Sequence, residues 1–348
     1  MIRRSPIARL FLVAVAVAGL AGVAVLARQA PPATSAMTDA ATKLLGTLDA
    51  EQKKAAVFAF DDEHRAKWFF TPQQTNREST RKGLRLDKLT DAQKAAAFAL
   101  VKTGLSASGF EQATTIVGLE SLLAELEPKG ANTRNPNWYF VSVFGEPSGT
   151  GKWGWRFEGH HLSVNFTLDK GTIVASTPLL FASNPANVLS GAKKGLRPLP
   201  ETEDLAKQLI ATLSDDQKSV ARQKTQFPEI KEGQPNAAVG DPVGLPMAKL
   251  DEKQAALLRK LIEAYANRLT PEAAAQEMQR VKDAGADSVK FAYCVEPDKK
   301  GSPYTYRVQG PTFVVEFLNV QGDAAGNPAN HIHSGWRRLP MDFAMPGK

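Results

Sequence analysis

The residues in this chain best suited to chemistry are its histidines, because imidazole binds transition metals and exchanges protons near neutral pH. There are five: His64 stands alone, His160 and His161 are adjacent, and His331 and His333 flank one isoleucine. Alternate residues of a strand face the same way, so His331 and His333 in a strand point together, as two ligands of one ion must. The same rule applied to residues 159–166 puts Leu162, Val164 and Phe166 on an apolar face and His161, Ser163 and Asn165 on a polar one. If two such polar faces meet, His161, His331 and His333 join Glu316 in a set of three nitrogens and one carboxylate. That set suits a divalent transition metal: zinc, copper, iron or manganese. Glu316 would be a ligand, a general base or a group that orients a ligand. His160 is the adjoining candidate for catalytic proton transfer. Without a metal, the same histidines are structural or acid–base groups.

Around them lie candidates for substrate contact. Residues 61–68 (DDEHRAKW) are followed by Arg77, Arg81, Lys82 and Arg85, and His331 and His333 by Trp336, Arg337 and Arg338. Arginine forks bind carboxylate or phosphate in two-pronged fashion, which makes Arg65, Arg81 and Arg337 candidates for an anionic substrate, small or oligomeric. Trp336 is a candidate wall beside them, and Trp68 and Phe70 offer an apolar or stacking surface. The competing reading is a solvated helix end with local Asp–Arg pairs, and Asp342 close enough in sequence to pair with Arg337 or Arg338. Trp153 and Trp155 read as core. No phosphate loop, Gly-x-Ser-x-Gly elbow or His-Glu-x-x-His helix occurs, so no nucleotide cofactor is indicated. The glycine-rich residues 145–151 lack a Lys-Ser/Thr ending and read as a turn between strands.

The elements that must position these residues carry a repeated signal. Four segments open alike: LDAEQK from Leu48, LTDAQK from Leu89, LSDDQK from Leu213 and LDEKQ from Leu250. Each reads as a helix start, with a side-chain oxygen to cap free backbone N–H groups and acids at the positive end of the dipole. The first and third starts lie 165 residues apart and the second and fourth 161. After each pair come strand-like stretches, 138–144 and 153–166, then 289–295 and 304–317. Aligning Gly159 with Gly310 pairs Arg156 with Arg307, Asn165 with Glu316 and Phe166 with Phe317. The expected fold is α+β, an internal duplication of a helix-pair plus antiparallel-strand unit packed about a pseudo-twofold axis. The halves are 45–200 and 201–348, with prolines and glycines concentrated in 227–246. Coincidence among generic helix starts is the alternative.

The N-terminus reads as an export segment. Arg3, Arg4 and Arg9 precede an unbroken apolar or glycine run over residues 10–26, and Val25 and Ala27 are small residues at the positions a signal peptidase needs. Residues 1–27 are expected to be a signal peptide or a retained anchor, and 28–44 a linker. Membrane contact is expected only through this segment, and the location is periplasmic or secreted. Without those three arginines the formal charge of +7 falls to about +4, too mild and dispersed to argue for nucleic acid. Cys294, the only cysteine, rules out an intramolecular disulfide and a cysteine-rich metal site, and 291–295 (FAYCV) reads as a buried strand. Oligomeric state is not indicated.

One resemblance covers nearly the whole mature chain, about residues 40–345. Trp68-Phe69-Phe70-Thr71-Pro72, Gly159-His160-His161-Leu162, Glu316-Phe317 and His331-Ile332-His333-Ser334 with Arg337 and Asp342 resemble domain-of-unknown-function family 3500. The resemblance implies one exported family domain and carries no activity. From the residues, the expected function is a metal-dependent enzyme, hydrolytic or oxidative, with a histidine-rich site between the halves. A non-catalytic periplasmic or envelope-associated binding module is the alternative.

Overall fold

The computed structural model describes residues 32–76, 78–127, 133–295 and 301–346. The expected signal peptide or anchor lies outside them, and none of the described helices is long and apolar enough to cross a membrane. The chain begins with α1 (Ala33–Thr47), α2 (Ala50–Ala56) and β1 (Val57–Phe58), then a small hairpin of β2 (Gln74–Thr75) and β3 (Glu78–Ser79). Next come β4 (Leu84–Arg85), α3 (Asp91–Gly104), α4 (Ala107–Leu126) and β5 (Phe140–Phe144). β6 (Lys152–Gly159), β7 (Leu162–Asp169), β8 (Thr172–Ala175) and β9 (Leu179–Phe181) follow. The remainder supplies α5 (Pro200–Thr212), α6 (Asp215–Ala221), β10 (Leu245–Pro246), α7 (Glu252–Ala266) and α8 (Pro271–Asp283). It ends with β11 (Lys290–Val295), β12 (Tyr304–Gln309), β13 (Phe313–Gln321) and β14 (His331–Arg338). Residues 28–44, expected as a linker, are helical from Ala33: Met37, Ala41 and Leu44 recur at helical spacing and are buried in the core.

All four leucine-led motifs begin helices, for one physical reason. Asp49, Thr90, Ser214 and Asp251 each accept a bond from the backbone of a glutamine three residues on, and that glutamine's side chain accepts the cap's own N–H. Orphan donors at the helix start are thereby satisfied reciprocally. The glutamines then reach each other in pairs. Gln52 and Gln93 exchange amide hydrogen bonds of 3.2 and 2.9 Å, and Gln217 and Gln254 do the same at 2.8 and 2.9 Å. Each pair also caps a turn carbonyl, Lys88 and Thr47 in one case and Lys249 and Thr212 in the other.

Except for β2 and β3, the strands join one mostly antiparallel sheet in the order β1-β5-β6-β7-β9-β14-β13-β12-β11-β10, with β4 on β5 and β8 on β7. The fold is α+β, as expected, and β9 against β14 joins the N-terminal strands to the C-terminal ones. Strand alternation gives the sheet two different faces. Trp155, Phe166, Phe181, Tyr306, Phe317 and Trp336 face the helices in the main core. Gly104 of α3 passes so near that a Cβ there would come within 2.5 Å of the Phe166 ring. The other face carries a smaller apolar cluster, including Trp68, Phe70, Ile230 and Leu318, beneath two long loops. It also carries buried arginines, which meet the loops' carbonyls. Arg156 donates to the carbonyls of His64, Arg65 and Lys67, and Arg307 to that of Val239. A loop packed over a sheet cannot leave its carbonyls without donors, and these arginines supply them. Arg156 also bonds Asn165 across the β6–β7 pair, as Arg307 bonds Glu316 across β12–β13.

Candidate metal centre

One strand end and a turn bring three imidazoles together on the loop face. In β14, Ile332 lies in the helix-side core while His331 and His333 face the loops, so the odd-numbered positions share a face. A register shift between Asn319 and Gln321 of β13 sets His331 opposite Gln321, and Asn319 Oδ1 accepts the His331 backbone N–H at 3.0 Å. Bulges of this kind re-aim side chains. The extension of β9 locks the neighbouring backbone, with Ser183 and Ile332 exchanging bonds of 2.8 and 2.9 Å.

His161 arrives from the β6–β7 hairpin. Gly159 faces Leu162 across the ladder, so His160 and His161 form a two-residue turn. His161 adopts φ of +65°, a left-handed conformation uncommon for a residue with a side chain. The surroundings hold it there: its N–H donates to the Phe70 carbonyl and its carbonyl accepts from Ala182, both at 2.8 Å. Strain retained in this way marks a residue whose direction matters.

The Nε2 atoms converge. His331 Nε2 lies 2.9 Å from His161 Nε2 and 3.1 Å from His333 Nε2, and the three ligand atoms fall within 4.8 Å of one another. His333 Nδ1 lies 2.9 Å from a Glu229 carboxylate oxygen. In the neutral ring that bond places the proton on Nδ1 and leaves Nε2 as a lone pair. His331 then has one N–H to give and two neighbouring nitrogens to satisfy, whereas one cation serves all three. Burial, with the neighbouring imidazoles and Arg134, holds the His161 ring well below the usual imidazole range. Burial, with His333, His160 and Arg134, pushes His331 down to about 3, against a smaller opposing effect of the Gly322 backbone. These two rings are therefore uncharged at neutral pH, the form that binds metal. Two nitrogen spacings lie near the ~3.3 Å expected for tetrahedral ligands at zinc–nitrogen distances of ~2.0–2.1 Å, and the third, within 4.8 Å, would have to close for all three to hold one ion.

The other candidates lie elsewhere. Glu316 is buried and paired with Arg307 at 2.9 Å, so it is not the carboxylate beside the imidazoles. Burial raises its pKa despite the nearby charges of Arg307 and Arg337. The carboxylate at the site is Glu229, which sequence reasoning missed because it sits in a proline-rich loop without periodicity. Burial would raise the Glu229 pKa, but the His333 hydrogen bond and charge and the Ile230 amide hold it below the usual range. His160, expected to transfer protons, is held instead by Glu120, whose carboxylate meets Nδ1 at 2.5 Å, and by Arg134, whose Nη1 lies 3.1 Å from Nδ1 and 3.2 Å from Nε2.

The arginines expected at a substrate are tied into the fold. Arg337 is buried, paired with Asp342 and bonded to the carbonyls of Lys231 and Gln234, with its guanidinium 4.7 Å from the Trp68 ring centroid. Arg81 donates to the carbonyls of Phe69 and Thr71, and Arg65 to those of Phe60 and Phe343. Trp336 stacks on Phe313 in the helix-side core, on the opposite face from the imidazoles. Strand alternation separates it from His333, three positions away, as firmly as it joins His331 to His333. Trp68 and Phe70 are fully buried, and the edge of one ring in the Phe70–His333 pair meets the face of the other at a centroid distance of 5.0 Å. His64 packs against Phe58 and Phe144 on the far side of Arg156's carbonyl bonds.

Comparison with known families gives one result. The family described as protein of unknown function (DUF3500) matches residues 31–345, so the chain belongs to it. No curated protein and no solved structure matches the chain.

Proposed function

We propose that this member of the DUF3500 family holds one transition-metal ion on His161, His331 and His333 and is a metal-dependent enzyme. The observation that carries the reading is the convergence of three Nε2 atoms, with the Nδ1 of His333 fixed by Glu229. Three imidazoles with no carboxylate ligand favour zinc or copper over manganese, which prefers oxygen donors. A metal held by three protein nitrogens keeps a position for water or substrate and acidifies that water, which suits hydrolysis. An anionic substrate loses three of its expected partners, since Arg65, Arg81 and Arg337 are used by the fold. Export is part of the same proposal and rests on residues 1–27.

A second reading, a metal-loaded binding module without catalysis, has one observation in its favour. The carboxylates nearest the imidazoles among the described residues are engaged, Glu229 by His333 and Glu316 by Arg307, so neither stands free as a general base. Elemental analysis of the exported protein beside the His331→Ala/His333→Ala double variant tests the metal site on which both readings rest. One equivalent of zinc or copper, lost in the variant, is expected. Metal content equal in the two proteins sinks the site.

We also infer that the chain is an internal duplication. The two glutamine pairs support it, as does the contact between the α3–α4 and α7–α8 turns. There Ser106 N–H donates to the Arg268 carbonyl at 3.0 Å and Thr270 N–H to the Gly104 carbonyl at 3.2 Å, reciprocal bonds of the kind a twofold axis produces.

A further inference from the structure

His161 differs from the other two imidazoles in how its ring is held. Glu229 takes the Nδ1 of His333 and the Gly322 backbone lies beside His331, but no described residue hydrogen-bonds His161 Nδ1. What lies against the His161 ring is His160, stacked with centroids 3.7 Å apart and planes 30° from parallel. His160 in turn is fixed on three sides. Glu120, buried on α4, meets Nδ1 at 2.5 Å, Arg134 Nη1 lies over the ring at 3.1 Å from Nδ1 and 3.2 Å from Nε2, and the Tyr139 hydroxyl donates to the His160 carbonyl at 2.6 Å. Arg134 is itself anchored by Glu127 at 2.6 Å. With Nδ1 bonded to the Glu120 carboxylate and the Arg134 guanidinium set against the ring, His160 cannot turn without breaking a charge-assisted bond.

Adjacent rings in a two-residue turn otherwise have free side-chain torsions, and a ligand in the wrong rotamer contributes nothing to a metal. We propose, on the reading that the imidazole trio binds metal, that Glu120, His160 and Arg134 are positioning residues that set the plane of the His161 ring. Their influence passes through the stack, since none of the three hydrogen-bonds His331 or His333. Glu120 thereby couples the helix layer to the site, because α4 carries the carboxylate that orients the turn.

The test uses the full chain with carbon-13-labelled histidine and the variants His160→Ala, His160→Phe and Glu120→Gln. In metal-free protein the His161 ring signal is expected to be single and displaced by the ring current of its neighbour. In His160→Ala it should move and broaden while the His333 signal stays, and in His160→Phe, which keeps an aromatic ring, the displacement should partly return. Zinc affinity, measured by chelator competition, should fall about 10–100-fold in His160→Ala, the range for residues that orient ligands, and less in Glu120→Gln. A His161 signal and a zinc affinity both unchanged in His160→Ala overturn the proposal. If the wild-type protein binds no zinc, the metal reading fails separately and the ring signals alone decide the positioning role.

Discussion

Glu229 and His333, 104 residues apart in sequence, are joined by a 2.9 Å hydrogen bond between a carboxylate oxygen and Nδ1. The partner lies in the loop that crosses the sheet, and its other oxygen accepts the Ile230 backbone N–H at 2.9 Å. A carboxylate so placed fixes the imidazole tautomer and raises the basicity of Nε2.

Glu229→Ala should therefore weaken zinc binding by about 10–100-fold. The Glu229 side chain is 42% exposed, so unfolding midpoints should move little. Chelator competition and urea denaturation on the same preparation separate the two effects. Unchanged affinity would remove Glu229 from the site.

Arg337 and Asp342 make the opposite case. Both are buried, and the carboxylate also accepts the Arg338 backbone N–H at 2.9 Å. Arg337→Met would leave a buried carboxylate and two loop carbonyls without their donor, at a cost of about 3–5 kcal/mol. Much of the loss should return in Arg337→Met/Asp342→Leu. A residue that contacts only substrate would leave the urea midpoint where it is.

What could be read from the sequence follows from which interactions are local. Capping boxes span three residues, so all four helix starts were visible, and strand alternation placed His331 and His333 on one side. The engagement of Arg65, Arg81 and Arg337 was not visible, because the carbonyls they serve belong to loops without a pattern. Glu316 illustrates the same limit: its partner Arg307 sits directly across the ladder and claims it. Trp336 is different. Alternation already put it on the face away from His333, and nearness in sequence was the poorer guide.

The two glutamine pairs can be compared energetically. Gln93→Ala and Gln254→Ala each remove an amide that serves a helix cap, a turn carbonyl and the partner glutamine. Each should cost about 1–3 kcal/mol. Double-variant cycles of Gln52 with Gln93 and of Gln217 with Gln254 should give similar coupling. Coupling in only one pair would mean that the repeated geometry does not carry repeated energetics.

Acid should destabilise the protein partly through His64. This ring is buried against Phe58 and Phe144, and burial, reinforced by the Arg156 charge, pushes its pKa down to about 4 from the usual 6.5. Between those values the unfolded chain binds a proton that the folded chain refuses, so stability rises with pH across that window. The His64 contribution is complete above pH 6.5, is lost progressively toward about 4, and changes no further below it. His161 and His331 titrate low as well and add to the same slope. His64→Phe keeps a ring in the aromatic site and removes only the His64 share. Urea midpoints measured from pH 7 down to about 4.5 should therefore fall less steeply in His64→Phe than in wild type. Equal slopes would mean that His64 accepts its proton within the folded protein.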